Sequence, residues 1–268
     1  MRKAFVALLA LPLTISLALG AAPAGAVTNG EPDNGRHPYV GLAVFDVNGR
    51  PSHRCSASLL SPTLVLTAGH CTDGTSAARV WFAENVQTNP EYPFSGTTSF
   101  DGVAHTYPDF CIGCGSGLPG FAFRDVGVIV LTEPAPTAVV SSYASLPTAG
   151  VVDTLPNKAD VDLVGYGVSV DLRGGGAPVW TGPRVRLFAP TELVSGKFTH
   201  AAEFLRLTAN PGGGSGGTCF GDSGGPDLLG GTATVLAVNS YVTNGNCTGV
   251  TYSQRVDIPA VLSWIAGF

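Results

Sequence analysis

The chain has 268 residues, 44% of them hydrophobic and only 12% charged, with a formal net charge of −5. Such an acidic, charge-poor composition offers no basic stripe for nucleic acid and no cationic face for anionic lipid, so both are excluded as partners. With 36 glycines and 20 prolines the sequence is broken into short pieces, which argues against long helices.

The first piece is Met1-Arg2-Lys3, an apolar run over 4–19, and small residues ending Ala24-Gly25-Ala26. That order predicts a secretory signal peptide over 1–26 and a secreted, extracellular protein. Removing Arg2 and Lys3 takes Lys+Arg from 14 to 12 against 19 acids, a mature charge of −7. Short β-branched runs follow at 39–47, 64–68, 79–82, 126–131, 161–164, 184–188, 203–207, 234–240 and 250–256, separated by turn residues. Many short strands of this kind predict an all-β sandwich or barrel. The Pro/Ser/Thr-rich stretch 132–157 is expected to join an N-terminal half, 27–140, to a C-terminal half, 141–268. One helix is predicted at the end: Asp257 as its cap, Pro259 in its first turn, and Ile258, Val261, Leu262 and Ile265 at helical spacing. Six cysteines in an oxidising compartment predict three disulfides.

Chemistry concentrates at Gly221-Asp222-Ser223-Gly224-Gly225-Pro226, one hydroxyl among glycines that permit tight backbone geometry. The string also fits the G-x-S-x-G nucleophile elbow of α/β-hydrolases. That class needs a histidine after the serine, and His37, His53, His70, His105 and His200 all precede Ser223. His70 follows an apolar run in Leu66-Thr67-Ala68-Gly69-His70-Cys71, and Asp125 stands at the mouth of another in Asp125-Val126-Gly127-Val128. A serine needs a base, and the base an orienting carboxylate. His105 and His200 are expected to be surface residues rather than ligands. The glycine run 212–217 is expected to be a loop, not a phosphate cradle, because no P-loop lysine follows.

These three motifs, in the order His, Asp, Ser, resemble the signatures of the chymotrypsin (trypsin-like) family of secreted serine peptidases, and the resemblance spans essentially all of 27–268. It implies two antiparallel six-stranded β-barrels packed at right angles, with a C-terminal helix and the site between them. It implies Ser223 as nucleophile, His70 as general base, Asp125 as its orienter, and the N–H groups of Gly221 and Ser223 as oxyanion hole. Disulfides Cys55–Cys71 and Cys219–Cys247 carry over from the family. Cys111–Cys114 lies outside its pattern and is read as a local bridge, since a redox motif would want a βαβ context and zinc two more ligands. Asp222 would pair with the α-amino group of Val27, freed by signal cleavage. The pocket floor falls on Gly217, with Ser240, Tyr241 and Val242 as one wall. No acid occurs in 210–220 or 239–255, so uncharged residues are expected there rather than Arg or Lys. No cofactor or metal is expected. The expected partners are protein or peptide substrates and protein inhibitors, acting on a monomer. An inactive binding protein on the same scaffold and an esterase using the same serine are the alternatives.

Overall fold

A computed structural model describes residues 27–114, 121–167, 184–194, 200–210, 213–245 and 247–268. The signal-peptide expectation, and Gly212 of the glycine run, lie outside the described residues.

The first sheet closes into a barrel of six antiparallel strands: β2 (Val40–Val47), β3 (Arg50–Leu59), β4 (Leu64–Thr67), β5 (Ala77–Trp81), β6 (Phe100–Thr106) and β9 (Gly127–Leu131), in the order β2-β3-β4-β9-β6-β5. Seven of the eight β2 residues are buried, so this strand has no polar face to alternate. The second sheet runs β1 (Glu31–Pro32), β11 (Leu187–Glu192), β10 (Asp160–Gly165), β13 (Pro226–Leu229), β14 (Val235–Val242), β15 (Gly249–Arg255) and β12 (Phe204–Ala209). Its ends approach each other at a single bridge, Leu193 with Leu207, so it curls into a nearly closed barrel with β1 as an extra edge strand. A hairpin of β7 (Cys111–Ile112) and β8 (Ala122–Phe123) stands before Asp125. Among the described residues the helices are short: α1 (Gly69–Thr72), a 3-10 turn (Val151–Thr154) and α2 (Pro259–Ile265).

Strands β3, β6 and β13 escape the β-branched pattern. The polar start of β3 contains Pro51, and its buried half is built from small residues, Cys55 to Ser58, that signal no strand propensity. Helix α2 forms where the apolar spacing places it, but Asp257 does not cap it. Ile258 occupies that position without a side-chain bond. The Asp257 carboxylate instead accepts Arg255 Nε and Nη2 at 2.8 and 2.9 Å and the Val152 N–H at 2.9 Å.

The first described residue and the C-terminal helix each pack on the opposite sheet. Val27 is fully buried among Val161, Leu163, Leu187 and Leu207 of the second barrel. Val261 and Ile265 of α2 join the core of the first, with Trp264 edge-on to Tyr107 and Phe268 against His105. Between the barrels sits a buried charge cluster. Asp33 binds His37 Nδ1 at 2.5 Å and Arg186 Nε at 2.8 Å, and Arg186 Nη1 reaches the carbonyls of Val40 and Phe82. Burial alone would raise the Asp33 pKa, but His37 and Arg186 outweigh it and hold it down at about 2.

Candidate active site

His70 rides on the one-turn helix α1, fixed by the Cys55–Cys71 disulfide to β3. Asp125 enters from the opposite side, just before β9. Arg124, immediately ahead of it, takes a left-handed φ of 53°, uncommon for a non-glycine residue, and this bend aims the next side chain inward. Asp125 is fully buried. One oxygen accepts the His70 backbone N–H at 2.7 Å, the other accepts His70 Nδ1 at 2.8 Å and the Ser240 hydroxyl at 2.5 Å. The Asp125 N–H is tied to Gln254 Oε1 of the second barrel at 3.0 Å. Because a carboxylate only accepts, Nδ1 must carry the proton, which leaves Nε2 as the basic atom. Burial pulls the His70 pKa down, and the charge and hydrogen bond of Asp125 push it up; the net direction is upward.

Ser223 lies on the loop between Cys219 and β13. Gly221 and Gly224 there adopt φ of 95° and 75°. A Cβ on Gly224 would come within 2.7 Å of both the Ala68 nitrogen and the Ser56 carbonyl, so only glycine fits against the first barrel. Ser56 of β3 holds this loop from the other barrel. Its N–H donates to the Ser223 carbonyl at 2.8 Å, and its hydroxyl donates to the Gly221 carbonyl at 3.0 Å and accepts the Tyr166 N–H. Among the described residues no protein acceptor takes the N–H of Gly221 or Ser223. Two donors therefore stand unengaged beside the hydroxyl.

Asp222 is fully buried, its oxygens accepting the N–H groups of Gly167 at 2.8 Å and Cys219 at 2.9 Å. Burial pushes its pKa up to about 8, against the pull of those two bonds and of the Arg54 charge. Val27, its expected partner, is held by the second barrel's core, and the adjoining Thr28 exchanges both backbone hydrogen bonds with Gly217 at 2.8 and 3.1 Å.

His70 and Ser223 line one cleft of about 260 Å³, walled by Thr218, Cys219, Phe220 and the run Asn239 to Val242. Ser240, Tyr241 and Val242 stand on this wall, and Ser240 also holds Asp125. Gly217 is not among the lining residues; its backbone is occupied by Thr28. Phe220 is half exposed at the rim and Asn239 is buried at the base. Sequence reading missed Phe220, Asn239 and Gln254, since nothing local marks a side chain that acts across the barrel. Disulfides Cys55–Cys71, Cys111–Cys114 and Cys219–Cys247 are formed. Among the described residues, the only His/Cys/acid group close enough to hold a metal is Cys55, His70 and Cys71, and its two sulfurs are spent on a disulfide. His200 is half-buried: it packs against Phe121 and Phe123, with Nε2 buried.

A family model described as Trypsin matches residues 27–265. Serine protease 1 of Drosophila melanogaster is 26% identical over 246 residues, 91% of this chain and 83% of that protein. Proproteinase E of Bos taurus is 27% identical over 232 residues, 82% of this chain and 85% of that protein. Chymotrypsin-like elastase family member 3B of Macaca mulatta is 30% identical over 135 residues; the match spans about half the length of that relative, 48% of each chain. In fold, the chain is similar to the solved structure of HL collagenase, with a TM-score of 0.69 at 18% identity over 90% of this chain and 97% of that one. Human heparin binding protein shares the fold at a TM-score of 0.61 and 19% identity, over 90% and 96%. The architecture is thus the double barrel, and the chain belongs to the trypsin family of chymotrypsin-type serine proteases.

Proposed function

We propose that the protein is a secreted serine endopeptidase acting through an acyl-enzyme. The observation that supports this best is the pair of buried Asp125 and partly exposed His70, 2.8 Å apart, opening on the same cleft as Ser223. Ser223 Oγ attacks the scissile carbonyl carbon as its proton passes to His70 Nε2. The carbonyl oxygen, now an anion, takes hydrogen bonds from the Gly221 and Ser223 N–H groups. His70 then returns the proton to the leaving nitrogen as the C–N bond breaks. Water, activated by the same histidine, releases the acid. The two lobes, 27–140 and 141–268, each contribute to this site, and Val27 and α2 each dock on the other lobe. The enzyme works as a monomer on protein or peptide substrates and is open to protein inhibitors.

The cleft wall is uncharged apart from His70, which favours uncharged residues at the cleaved position over Arg or Lys. Activation is read from the buried Asp222, whose carboxylate takes only backbone N–H groups as hydrogen-bond donors: signal cleavage before Val27 frees an α-amine that pairs with it and sets the oxyanion loop. N-terminal sequencing of active secreted protein tests this, and an active enzyme that begins upstream of Val27 refutes it. The nucleophile is tested by fluorophosphonate labelling with Ser223→Ala as control; label surviving in the variant overturns the assignment. An Arg or Lys reporter cut faster than every apolar and aromatic one overturns the specificity.

A further inference from the structure

Asp227 is a buried acid that this mechanism does not use and that, unlike Asp33, Asp46 and Asp257, has no arginine beside it. It is fully buried, and neither carboxylate oxygen has a hydrogen-bond partner among the described residues. Ser253 lies near enough to favour the charged form slightly, but burial dominates and pushes the pKa up to about 8. Buried carboxyls without partners are costly, so this one calls for an occupant.

The strand register shows what surrounds it. Asp227 in β13 faces Ala237 in β14, and Asn239, two residues further along β14, projects from the same face. Asn239 is the cross-strand partner of Ser253 in β15, and Thr251 follows on that face. Their neighbours Leu163, Leu205 and Leu207 belong to the core of the second barrel, so this face is its interior. Asn239 is also at the base of the substrate cleft. The Asn239 side-chain Nδ2 and the Thr251 hydroxyl are, like Asp227, buried without partners. Two acceptor oxygens, one amide donor and one hydroxyl therefore share the interior face on which Asn239, itself bonded to the Ser253 hydroxyl, lines the cleft; Asp227 and Thr251 stand behind that lining.

We propose that Asp227, Asn239 and Thr251 form the polar floor of the specificity pocket and select a carboxamide side chain, glutamine foremost, at the residue whose carbonyl Ser223 attacks. A carboxamide has N–H donors for Asp227 and a carbonyl acceptor for Asn239 Nδ2 and the Thr251 hydroxyl. Lysine or arginine would answer Asp227 and the Thr251 oxygen but offer no acceptor to Asn239 Nδ2. Glutamate would bury a second carboxyl against Asp227, tolerable only while one of the two keeps its proton, and methionine would leave every group unpaired. In either protonation state the Asp227 carboxyl keeps an acceptor oxygen. The inference rests on the serine-endopeptidase reading and narrows its uncharged specificity.

The test uses the secreted, processed protein and peptide reporters that differ only in Gln, Glu, Met or Lys at the cleaved position. Sites built to hydrogen-bond a substrate group discriminate strongly against analogues that lack it. The expected kcat/KM for Gln exceeds that for Met by roughly tenfold or more. Asp227→Leu should bring this ratio to about one, and Thr251→Val, which keeps shape and fold, should lower it several-fold. Met at least equal to Gln in the parent, Lys above Gln, or a ratio unchanged in Asp227→Leu overturns the proposal. Fluorophosphonate labelling of Ser223, run on the same samples, separates the two levels: label without glutamine preference refutes the pocket floor alone, and no label refutes the peptidase reading with it.

Discussion

Replacing Asp227 by asparagine should make stability less dependent on pH. In the folded chain burial raises this carboxyl from an ordinary 3.8 to about 8, while the unfolded chain leaves it near the ordinary value. Below about pH 4 both states hold the proton, and the group's contribution to stability is fully present. As the pH rises toward 8 the unfolded state ionises and the folded state resists, so stability falls by about 1.4 kcal/mol per pH unit. Over the whole interval the loss is on the order of 5 kcal/mol. Asparagine has the same shape and no charge to suppress. The assay is urea unfolding at pH 4, 6 and 8 of Asp227→Asn and its parent, both carrying Ser223→Ala to prevent self-digestion. Every other titrating group, Asp222 included, cancels in the difference. The variant should gain several kcal/mol on the parent between pH 4 and pH 8. A difference that stays flat over that interval refutes the reasoning, because Asp227 would then be solvated or paired.

Asp125→Asn removes one of the acceptors that serve His70 and Ser240 and favours the wrong imidazole tautomer. Its kcat should fall about 10⁴-fold with little change in KM, measured on any cleaved reporter. Gly224→Ala meets the backbone of Ser56 and Ala68 at a φ of 75°; a destabilisation of about 3 kcal/mol or more, or failure to secrete, is the expected result in an expression and unfolding assay. Asp33→Asn removes the buried counter-charge of Arg186, leaving only the partly exposed Glu84 at 4.0 Å, and should cost about 3 kcal/mol in urea unfolding at pH 7. Because Asp33 is held at about 2 in the folded state, its contribution is present above about pH 4 and lost as the pH falls toward 2, so parent and variant should converge in acid.

The proposed trio of His70, Asp125 and Ser223 stands out in the sequence because each member sits in a short local signature, and the order of the three excludes the rival hydrolase class. The strands that were legible were those rich in Val, Ile and Leu; β3 hid because its buried face is made of Cys, Ser and Ala, and β13 because it opens with a proline. Asp227 could not be found by searching the segments expected to line the pocket. It reaches that region through the register of three antiparallel strands, a property of the sheet and not of any window of sequence. The role of Ser240 was half legible: its place on the wall follows from the motif, whereas its bond to Asp125 depends on how the two barrels meet. Asp257 looked like a helix cap until Arg255, two residues away, claimed its carboxylate.

The crossed packing of Val27 and α2 makes the two barrels a clasp. Val27 and β1 are packed into the second barrel, α2 into the first, and no disulfide joins one barrel to the other. A nick in the connector at 132–157 would therefore release neither half, since each fragment holds a piece of its partner's core. Such a cut molecule should stay together and keep its cleft, and separately produced halves should find one another on mixing.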